Sequence, residues 1–333
     1  MLKNKNIQLT RIRRNKHHSW IREIVAEVNL TVNDLILPVF IIEGHNLTES
    51  IESMPGVFKL SIDNLIKHAK QAKNLGIKAI ALFPSLSKEC KSENAKEAYN
   101  PDNLICRAVK SLKDSGLNIG IIVDIALDPY TLSGHDGILK DNYVDNDLTV
   151  EILVKQASTL AQAGADVLAP SDMMDGKVFA IRSMLESQKF CNVNIFSYSA
   201  KYCSNLYSPF RSALNIQNRN SISKDSYQLD KRNAQDAVSK IKLDFEEGAD
   251  MIIVKPSLMY LDIIKEASSK ISKNILAFQV SGEYSMLKHF ALVNQINWEK
   301  MILESLICIK RSGAKAIFSY AALEVAQYLQ NSK

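Results

Sequence analysis

The feature that most constrains the fold is a motif that recurs five times along the chain. In each copy a helical segment ends at a glycine, and a short apolar run follows that ends in a polar or reactive residue. A glycine just past a helix C-terminus, followed by a buried run, is typical of units in which helices alternate with strands. The five copies are "LGIKAIALFP" (75–84), "SGLNIGIIVD" (115–124), "AGADVLAPSD" (163–172), "EGADMIIVKP" (247–256) and "SGAKAIFSYA" (312–321).

Three further apolar runs lack the glycine but fit as strands, namely "LILPVFII" (35–42), "VNIFSY" (193–198) and "ILAFQV" (275–280), which gives eight strands. Runs that are apolar without alternation are typical of parallel strands buried on both faces. Helical candidates lie near 62–75, 102–115, 148–163, 176–188, 231–247, 260–272 and 284–311, the last with room for two helices. Eight strands with helical crossovers predict an α/β fold, a (β/α)8 TIM barrel. An open doubly wound sheet is the alternative, but no GxGxxG follows the first strand.

The composition is that of an ordinary globular protein. The 333 residues are 46% apolar and carry a net charge of +5, concentrated in "TRIRRNKHHSWIR" (10–22). We therefore divide the chain into an N-terminal arm, 1–33, and a barrel, 34–333. No apolar run reaches the ~18 residues that span a bilayer, and the polar start "MLKNKNIQLT" lacks the apolar core of a signal peptide, so we expect a cytoplasmic protein. The five cysteines form no CxxC pair, which favours reduced thiols over a disulfide framework or a zinc site.

The ends of the predicted strands carry polar and reactive side chains. Active sites of TIM barrels lie at the C-terminal ends of the strands. These ends carry Phe83, Asp124, Ser171 with Asp172, Tyr198 leading into Lys201, Lys255, Ser281 and Tyr320. The set includes two lysines on consecutive strands.

The two lysines favour amine chemistry. Burial and a neighbouring cation both lower the pKa of a lysine, and bringing it from ~10.4 to near 7 takes roughly 4 kcal/mol. A neutral amine attacks a ketone to form a Schiff base. The alternative is that each lysine extends to solvent or pairs with a carboxylate such as Asp124. The presence of two lysines at consecutive strand ends favours Schiff-base chemistry over this alternative.

The segment 201–230 is long and polar, and we expect it to be an irregular lid. Its Arg211, Lys224 and Gln228 are candidates for holding a carboxylate. Ser281 and Tyr320 are candidates for holding a second one. Two amines and two carboxylate sites suggest that two keto-acid molecules bind together.

Several longer motifs occur in an order that matches one family over nearly the whole chain, from about Arg11 to Tyr328. They are "SMPGVFKLSID" (53–63), "EAYNPDNLICRAVK" (97–110), "DIALDPYTLSGHDG" (124–137), "ILVKQA" (152–157), "GADVLAPSDMMDGKV" (164–178), "YSAKYCSNLYSPFR" (198–211), "EGADMIIVKP" (247–256) and "QVSGEYSM" (279–286). With these motifs the chain resembles porphobilinogen synthase, also called 5-aminolevulinate dehydratase.

The resemblance implies an enzyme that joins two 5-aminolevulinate molecules into porphobilinogen with loss of two waters, in tetrapyrrole synthesis. Lys255 matches the lysine that forms a Schiff base with the propionate-side substrate, and Lys201 matches its acetate-side counterpart. Ser281 with Tyr320, and Arg211 with Lys224 and Gln228, match the two carboxylate sites. The other matching pocket residues are Asp124, Ser171, Tyr198, Tyr207 and Phe210.

The chain departs from the family at candidate metal ligands. Zinc-dependent members have three cysteines where this chain has Ala126, Asp128 and Asp136, so we expect no zinc and no organic cofactor. Asp128 and Asp136 are candidates for Mg2+ or a monovalent ion, with solvated or hydrogen-bonded acids as the alternative. Lys240 replaces a glutamate of magnesium-stimulated relatives, which predicts no activating Mg2+ there, with compensation by neighbouring acids as the alternative. Lys224 replaces the usual arginine. A lysine lacks the planar guanidinium group that binds a carboxylate through two hydrogen bonds, so we expect weaker carboxylate binding.

The resemblance also implies that the arm wraps a neighbouring subunit and that the protein is a homo-octamer. Two other functions remain as alternatives. A class I aldolase uses one barrel lysine instead of two, and a nucleic-acid-binding protein would use the basic arm, although no basic and aromatic residues interleave elsewhere. We expect neither a nucleic acid nor a membrane as partner.

Overall fold

The eight predicted strands form a closed parallel barrel in the computed structural model, which describes residues 10–216 and 222–331. Leu35 and Ile36 of the first strand pair with Ile317 and Phe318 of the last, and this pairing closes the barrel. The (β/α)8 prediction is therefore confirmed. The strands are β1 (Leu35–Ile41), β2 (Ala79–Pro84), β3 (Gly120–Ile125), β4 (Val167–Pro170), β5 (Asn194–Lys201), β6 (Met251–Lys255), β7 (Ile275–Gln279) and β8 (Ala316–Ser319).

Helices connect the strands and cover the outside of the barrel. They are α1 (Ile62–Asn74), α2 (Leu104–Asp114), α3 (Asn146–Ala163), α4 (Lys177–Ser187), α5 (Gln235–Glu246), α6 (Leu261–Lys270), α7 (Ser281–Val293), α8 (Trp298–Arg311) and α9 (Ala322–Asn331). The region 284–311 thus contains two helices. The sequence patterns did not predict α9, which packs beside β1.

The motif glycines end their helices as expected. All five adopt a left-handed backbone, with φ between 66° at Gly116 and 118° at Gly313. A residue with a side chain is strained in this conformation, so glycine is the residue that lets the chain turn directly from helix into strand.

Aromatic side chains fill the barrel interior. Phe278 stacks on Phe318 with ring centroids 5.0 Å apart, and Phe83 and Tyr198 lie 6.2 and 6.3 Å from Phe278. All four side chains are buried. They form an apolar floor beneath the residues at the strand ends, so an amine that reaches this floor has little contact with water.

Two small hairpins, two short α-helices and seven 3-10 helices also occur among the described residues. Thr48–Ser50 and Phe58–Leu60 extend the sheet beside β1, and Leu139–Lys140 pairs with Tyr143–Val144. The helix Ser208–Ala213 lies within the segment predicted to be an irregular lid. Its Pro209 stands in the first turn, where proline is well tolerated.

The arm is described from residue 10 and contains the short helix Ser19–Ile24, which buries no residue. Residues 1–9 of the predicted arm and 217–221 of the predicted lid lie outside the described residues. No helix within 10–216 or 222–331 has the length and apolar character required to cross a membrane.

Candidate active site

Lys201 and Lys255 end two neighbouring strands at the same height of the barrel. Lys201 is the last residue of β5 and Lys255 the last of β6, and the two are paired in the sheet register. Both are buried, with exposed fractions of 6% and 5%. Because residues paired across parallel strands project to the same side, both amines reach one cavity, which both residues line.

Lys255 lies in an aromatic environment. Its Nζ is 4.5 Å from the ring centre of Phe278, 4.9 Å from that of Tyr198 and 5.1 Å from that of Phe210. Within the described residues its amine forms no ion pair or hydrogen bond. Burial, reinforced by the charge of Lys201 and opposed by that of Asp124, lowers the pKa of Lys255 to about 8. A substantial fraction of this amine is therefore neutral near physiological pH.

Lys201 lies in an acidic environment instead. Its Nζ donates to Asp136 Oδ1 at 2.6 Å and to the carbonyl oxygen of Ser171 at 2.5 Å. Burial lowers its pKa, but the charges of Asp136 and Asp128 outweigh burial and raise the pKa above that of an ordinary lysine. The expectation that both amines have lowered pKa values is therefore right for Lys255 and wrong for Lys201.

Asp136 links two lysines and the lid. Its second oxygen, Oδ2, accepts hydrogen bonds from Lys224 Nζ at 2.6 Å and Tyr227 Oη at 2.8 Å. The side chain is completely buried. Burial raises the pKa of Asp136, but the charges of Lys201 and Lys224 outweigh that effect and hold the pKa well below its usual range. Asp136 is therefore a carboxylate whose two oxygens are both engaged by ammonium groups.

Asp124 is the carboxyl group of this cavity that is best suited to accept and donate protons. Ser171 Oγ donates to its Oδ2 at 3.3 Å, while Oδ1 has no hydrogen-bond partner within the described residues. Burial raises the pKa of Asp124 to about 7, against the opposing charge of Lys255. Burial and the charge of Asp136 likewise raise the pKa of Asp128. A group that titrates near neutrality can both accept and donate a proton in a reaction cycle.

Most of the predicted substrate contacts line the same cavity as the lysines. They are Asp124, Ser171, Tyr207, Phe210, Arg211, Lys224 and Gln228. Tyr207 Oη donates to the carbonyl oxygens of Tyr202 and Lys255, at 2.8 and 3.1 Å. Gln228 is buried, and its Oε1 has no partner within the described residues.

The other four predicted residues are not among those that line this cavity. Tyr198 and Phe83 belong to the aromatic floor, where Phe83 meets Phe210 edge-on at 5.4 Å. Tyr320 stacks on Phe40 at 5.6 Å and is buried. Ser281 Oγ accepts from the backbone N–H of Phe210 at 3.0 Å and donates to the carbonyl oxygen of Leu206 at 3.3 Å. In this arrangement the Ser281 hydroxyl, which we expect to bind a carboxylate, is hydrogen-bonded to the lid backbone.

The residues at the expected metal positions do not form a ligand set. Ala126 has no donor atom, and both oxygens of Asp136 bind ammonium groups. Across the described ranges, no group of three or more His, Cys, Asp or Glu side chains is placed to hold a metal ion. Lys240 Nζ lies 3.1 Å from Asp244 Oδ1 and 3.5 Å from Asp175 Oδ1, so its ammonium group is paired with two acids.

Two residues of the site escaped the sequence analysis. Tyr227 donates to Asp136, and nothing in the lid sequence distinguishes it from other tyrosines. Glu283 is completely buried beside the strand ends of β6 and β7 and accepts backbone hydrogen bonds there. The helix predicted near 284–311 begins directly after Glu283, and an acidic residue at a helix start is a signal that could have indicated it.

Comparison with known proteins gives a consistent result. The family model for delta-aminolevulinic acid dehydratase matches residues 9–328. The delta-aminolevulinic acid dehydratase of Bradyrhizobium diazoefficiens is 43% identical over 96% of this chain and 91% of its own length. That of Chlamydia pneumoniae is 41% identical over 96% of each chain. A chloroplastic relative from Arabidopsis thaliana is 43% identical over 97% of this chain and 75% of its own length.

A solved structure agrees with the fold. The crystal structure of the delta-aminolevulinic acid dehydratase (porphobilinogen synthase) from Toxoplasma gondii, in complex with the reaction product porphobilinogen, matches with a TM-score of 0.95. The two chains are 41% identical, and the match covers 97% of this chain and 92% of the other.

Proposed function

This chain belongs to the delta-aminolevulinic acid dehydratase family, and we propose that Lys255 and Lys201 each form a Schiff base with one substrate molecule. It is a porphobilinogen synthase, a lyase that joins two 5-aminolevulinate molecules with loss of two waters in haem biosynthesis. The observation that carries the Schiff-base proposal is the pairing of the two lysines at neighbouring strand ends above one aromatic floor.

The proposed steps balance with the overall reaction. Each amine adds to the ketone of one 5-aminolevulinate and releases one water as the imine forms, which accounts for both waters. A C–C bond and a C–N bond then join the two substrates, and both lysines leave as free amines. Loss of a proton finally gives the aromatic pyrrole. Asp124, with a pKa of about 7, is placed to carry protons in these steps.

The two lysines enter the reaction from different states. The pKa of Lys255 is lowered to about 8, so more of its amine is neutral than that of Lys201, and this neutral form can attack a ketone directly. Lys201 must first give up the proton that Asp136 stabilises before its amine can attack a ketone. We propose that Arg211, Lys224 and Gln228 hold one substrate carboxylate, and that Ser281 and Tyr320 hold the other once the lid moves.

Reductive trapping tests the Schiff bases. The enzyme is treated with borohydride in the presence of 5-aminolevulinate, and the labelled peptides are identified by mass spectrometry. We expect labels on both Lys255 and Lys201, whereas a class I aldolase mechanism gives one labelled lysine. Lys177 is an internal control, because it is buried but donates to the carbonyl of Pro170 and pairs with Asp172. Absence of label on Lys201 would reduce the mechanism to a single imine.

We propose that catalysis uses no zinc and that no activating Mg2+ binds at Lys240. Support comes from the donor set, since Asp136 is neutralised by two ammonium groups and Lys240 by two acids. Porphobilinogen formation should be unchanged after chelation and dialysis against metal-free buffer. Strong stimulation by added Mg2+ or zinc would contradict this proposal without affecting the Schiff-base assignment.

We propose that the arm, residues 1–33, packs on a second copy of the chain in a homo-octamer. The exposed apolar side chains of its described part support this, since Trp20 and Ile24 are 57% and 70% exposed. A truncation that begins near Leu30 should shift the assembly to smaller species in analytical ultracentrifugation, and an unchanged octamer would refute the role. We also propose a cytoplasmic enzyme with no membrane or nucleic-acid partner.

A further inference from the structure

Glu283 is a buried carboxylate that gathers several backbone donors. It is completely buried in the first turn of α7. Its Oε1 accepts the N–H groups of Ser257 at 3.0 Å and Leu258 at 2.6 Å, and its Oε2 accepts the N–H of Val280 at 2.7 Å. Ser257 Oγ donates to Oε2 at 3.2 Å. Hydrogen bonds to a carboxylate are stronger than those between two neutral groups, so these contacts hold the connected backbone segments firmly in place.

The donors come from two different strand ends. Ser257 and Leu258 follow β6 and stand two and three residues after Lys255. Val280 follows β7 and directly precedes Ser281. One side chain therefore joins the turn after the proposed nucleophile to the turn that carries a proposed carboxylate-binding hydroxyl.

The same turn supports the lid. The backbone of Leu206 packs so closely on Gly282 that any side chain at Gly282 would collide with it. The adjoining Ser281 Oγ bonds the backbone of Leu206 and Phe210. A shift of the turn after β7 would therefore move both the hydroxyl and the start of the lid.

We propose that Glu283 is a positioning residue that sets the distance between the Lys255 amine and the carboxylate-binding turn at Ser281. Its hydrogen-bond partners lie in the two turns, and it is not among the residues that line the cavity of the two lysines. This inference rests on the proposed function, because it assumes that one substrate spans Lys255 and Ser281. Lys201 is held by Asp136 and Ser171 instead, so its subsite does not depend on Glu283.

The proposal predicts an asymmetric defect. Glu283→Gln keeps the size of the side chain but replaces one acceptor oxygen with an amide that donates, which leaves backbone N–H groups without an acceptor. The two turns then separate. A displacement of the order of 1 Å at a reacting group lowers rates by up to about a hundredfold. We expect trapping at Lys255 to fall by at least about tenfold, with little change at Lys201.

Borohydride trapping with 5-aminolevulinate, quantified separately for the two lysine peptides, measures this asymmetry. The variants are Glu283→Gln, Glu283→Asp and Ser257→Ala, the last of which removes only the hydroxyl contact. We expect Glu283→Asp to retain part of the Lys255 label, because it keeps a carboxyl group with two acceptor oxygens, and Ser257→Ala to retain most of it. KM for 5-aminolevulinate should rise in the same order as the label falls.

Asn103→Ala is the matched control for a general loss of stability. Asn103 is also buried and bonds the backbone of Cys106 at 2.8 Å and Glu97 at 3.2 Å, at the start of α2. It should lower the melting temperature without changing the ratio of the two labels.

The outcomes separate the two proposals. Equal loss of label at both lysines, or an unchanged ratio in a folded Glu283 variant, would overturn the positioning role. If Glu283→Gln does not fold, the ratio in Glu283→Asp decides in the same way. Absence of label on Lys255 in the wild-type enzyme would instead overturn the Schiff-base proposal itself.

Discussion

Lys255 and Lys201 occupy equivalent places in neighbouring strands, yet their surroundings give them opposite charge preferences. Both end a buried strand, both are nearly inaccessible, and both line one cavity. Lys255 faces aromatic rings and has a lowered pKa, whereas Lys201 faces Asp136 and has a raised one. Burial acts on both amines in the same direction. At Lys201 the contact with Asp136, together with the charge of Asp128, outweighs burial, whereas Lys255 has no carboxylate contact among the described residues.

The largest expected effect comes from removing either amine. Lys255→Met and Lys201→Met should each lower porphobilinogen formation by at least about a thousandfold, the scale seen when a nucleophile is removed. The measurement is initial rate at saturating 5-aminolevulinate. Lys242→Met, on the exposed face of α5, is the control and should retain full activity. Substantial activity in either active-site variant would remove that lysine from the mechanism.

The same two variants should change stability in opposite directions. A charged Lys255 without a partner costs about 3 kcal/mol at pH 7, judged from its lowered pKa, so Lys255→Met should raise the free energy of unfolding. Lys201→Met leaves the buried Asp136 with one ammonium partner fewer and should lower that free energy by about 3 kcal/mol. Urea denaturation at pH 7 measures both. Changes of the same sign would refute the contrast between the two environments.

The pH dependence should distinguish the lysines. Since the pKa of Lys255 is lower in the folded than in the unfolded chain, its contribution makes the protein more stable as pH rises from about 8 to 10.5. Trapping at Lys255 should fall about tenfold per pH unit below about pH 8, because only the neutral amine reacts. Trapping at Lys201 should require higher pH.

Asp136→Asn sharpens this prediction. Without the carboxylate charge the pKa of Lys201 falls, and its trapping profile should move to lower pH while that of Lys255 shifts less. Site-resolved trapping across pH 6 to 10 provides the measurement. Asp250→Asn is a control that removes a partly exposed acid paired with Arg182. An unmoved Lys201 profile would mean that Asp136 does not set the charge of that lysine.

The smallest effect is expected at Lys224. Lys224→Arg introduces a planar guanidinium group that can bind a carboxylate through two hydrogen bonds. KM for 5-aminolevulinate should fall by about threefold, with kcat nearly unchanged. Steady-state kinetics measures KM and kcat separately. A large drop in kcat would instead show that the Lys224–Asp136 contact is needed for the chemistry.

Much of the fold was predictable because its signals are local. The motif glycines and continuous apolar runs located all eight strands, since helix ends and two-sided burial leave marks within about ten residues. The sequence patterns do not predict helix α9 or the helix Ser208–Ala213, because neither ends at a motif glycine or leads directly into a strand. The segment 201–230, which contains Ser208, is predicted to be irregular from its length and polarity.

The sequence predicts which residues belong to the candidate site but not which of them contact one another. Strand ends and family motifs supplied the residues that line the cavity. The sequence offers Asp136 as a candidate metal ligand with a hydrogen-bonded acid as the alternative, and in the structure it bonds Lys201 and Lys224, which lie 65 and 88 positions away along the chain. No sequence prediction singles out Glu283, because two of its backbone donors, Ser257 and Leu258, belong to another strand end.

A (β/α)8 barrel and two lysines on consecutive strands follow from the sequence alone, because periodicity and helix-ending glycines act over short stretches of chain. The difference in pKa between the two lysines, and the hydrogen bonds of Glu283 to the turn after Lys255, depend on tertiary packing. The pKa of a buried amine depends on the distance in space to its nearest charges, and that distance is set by how remote segments pack.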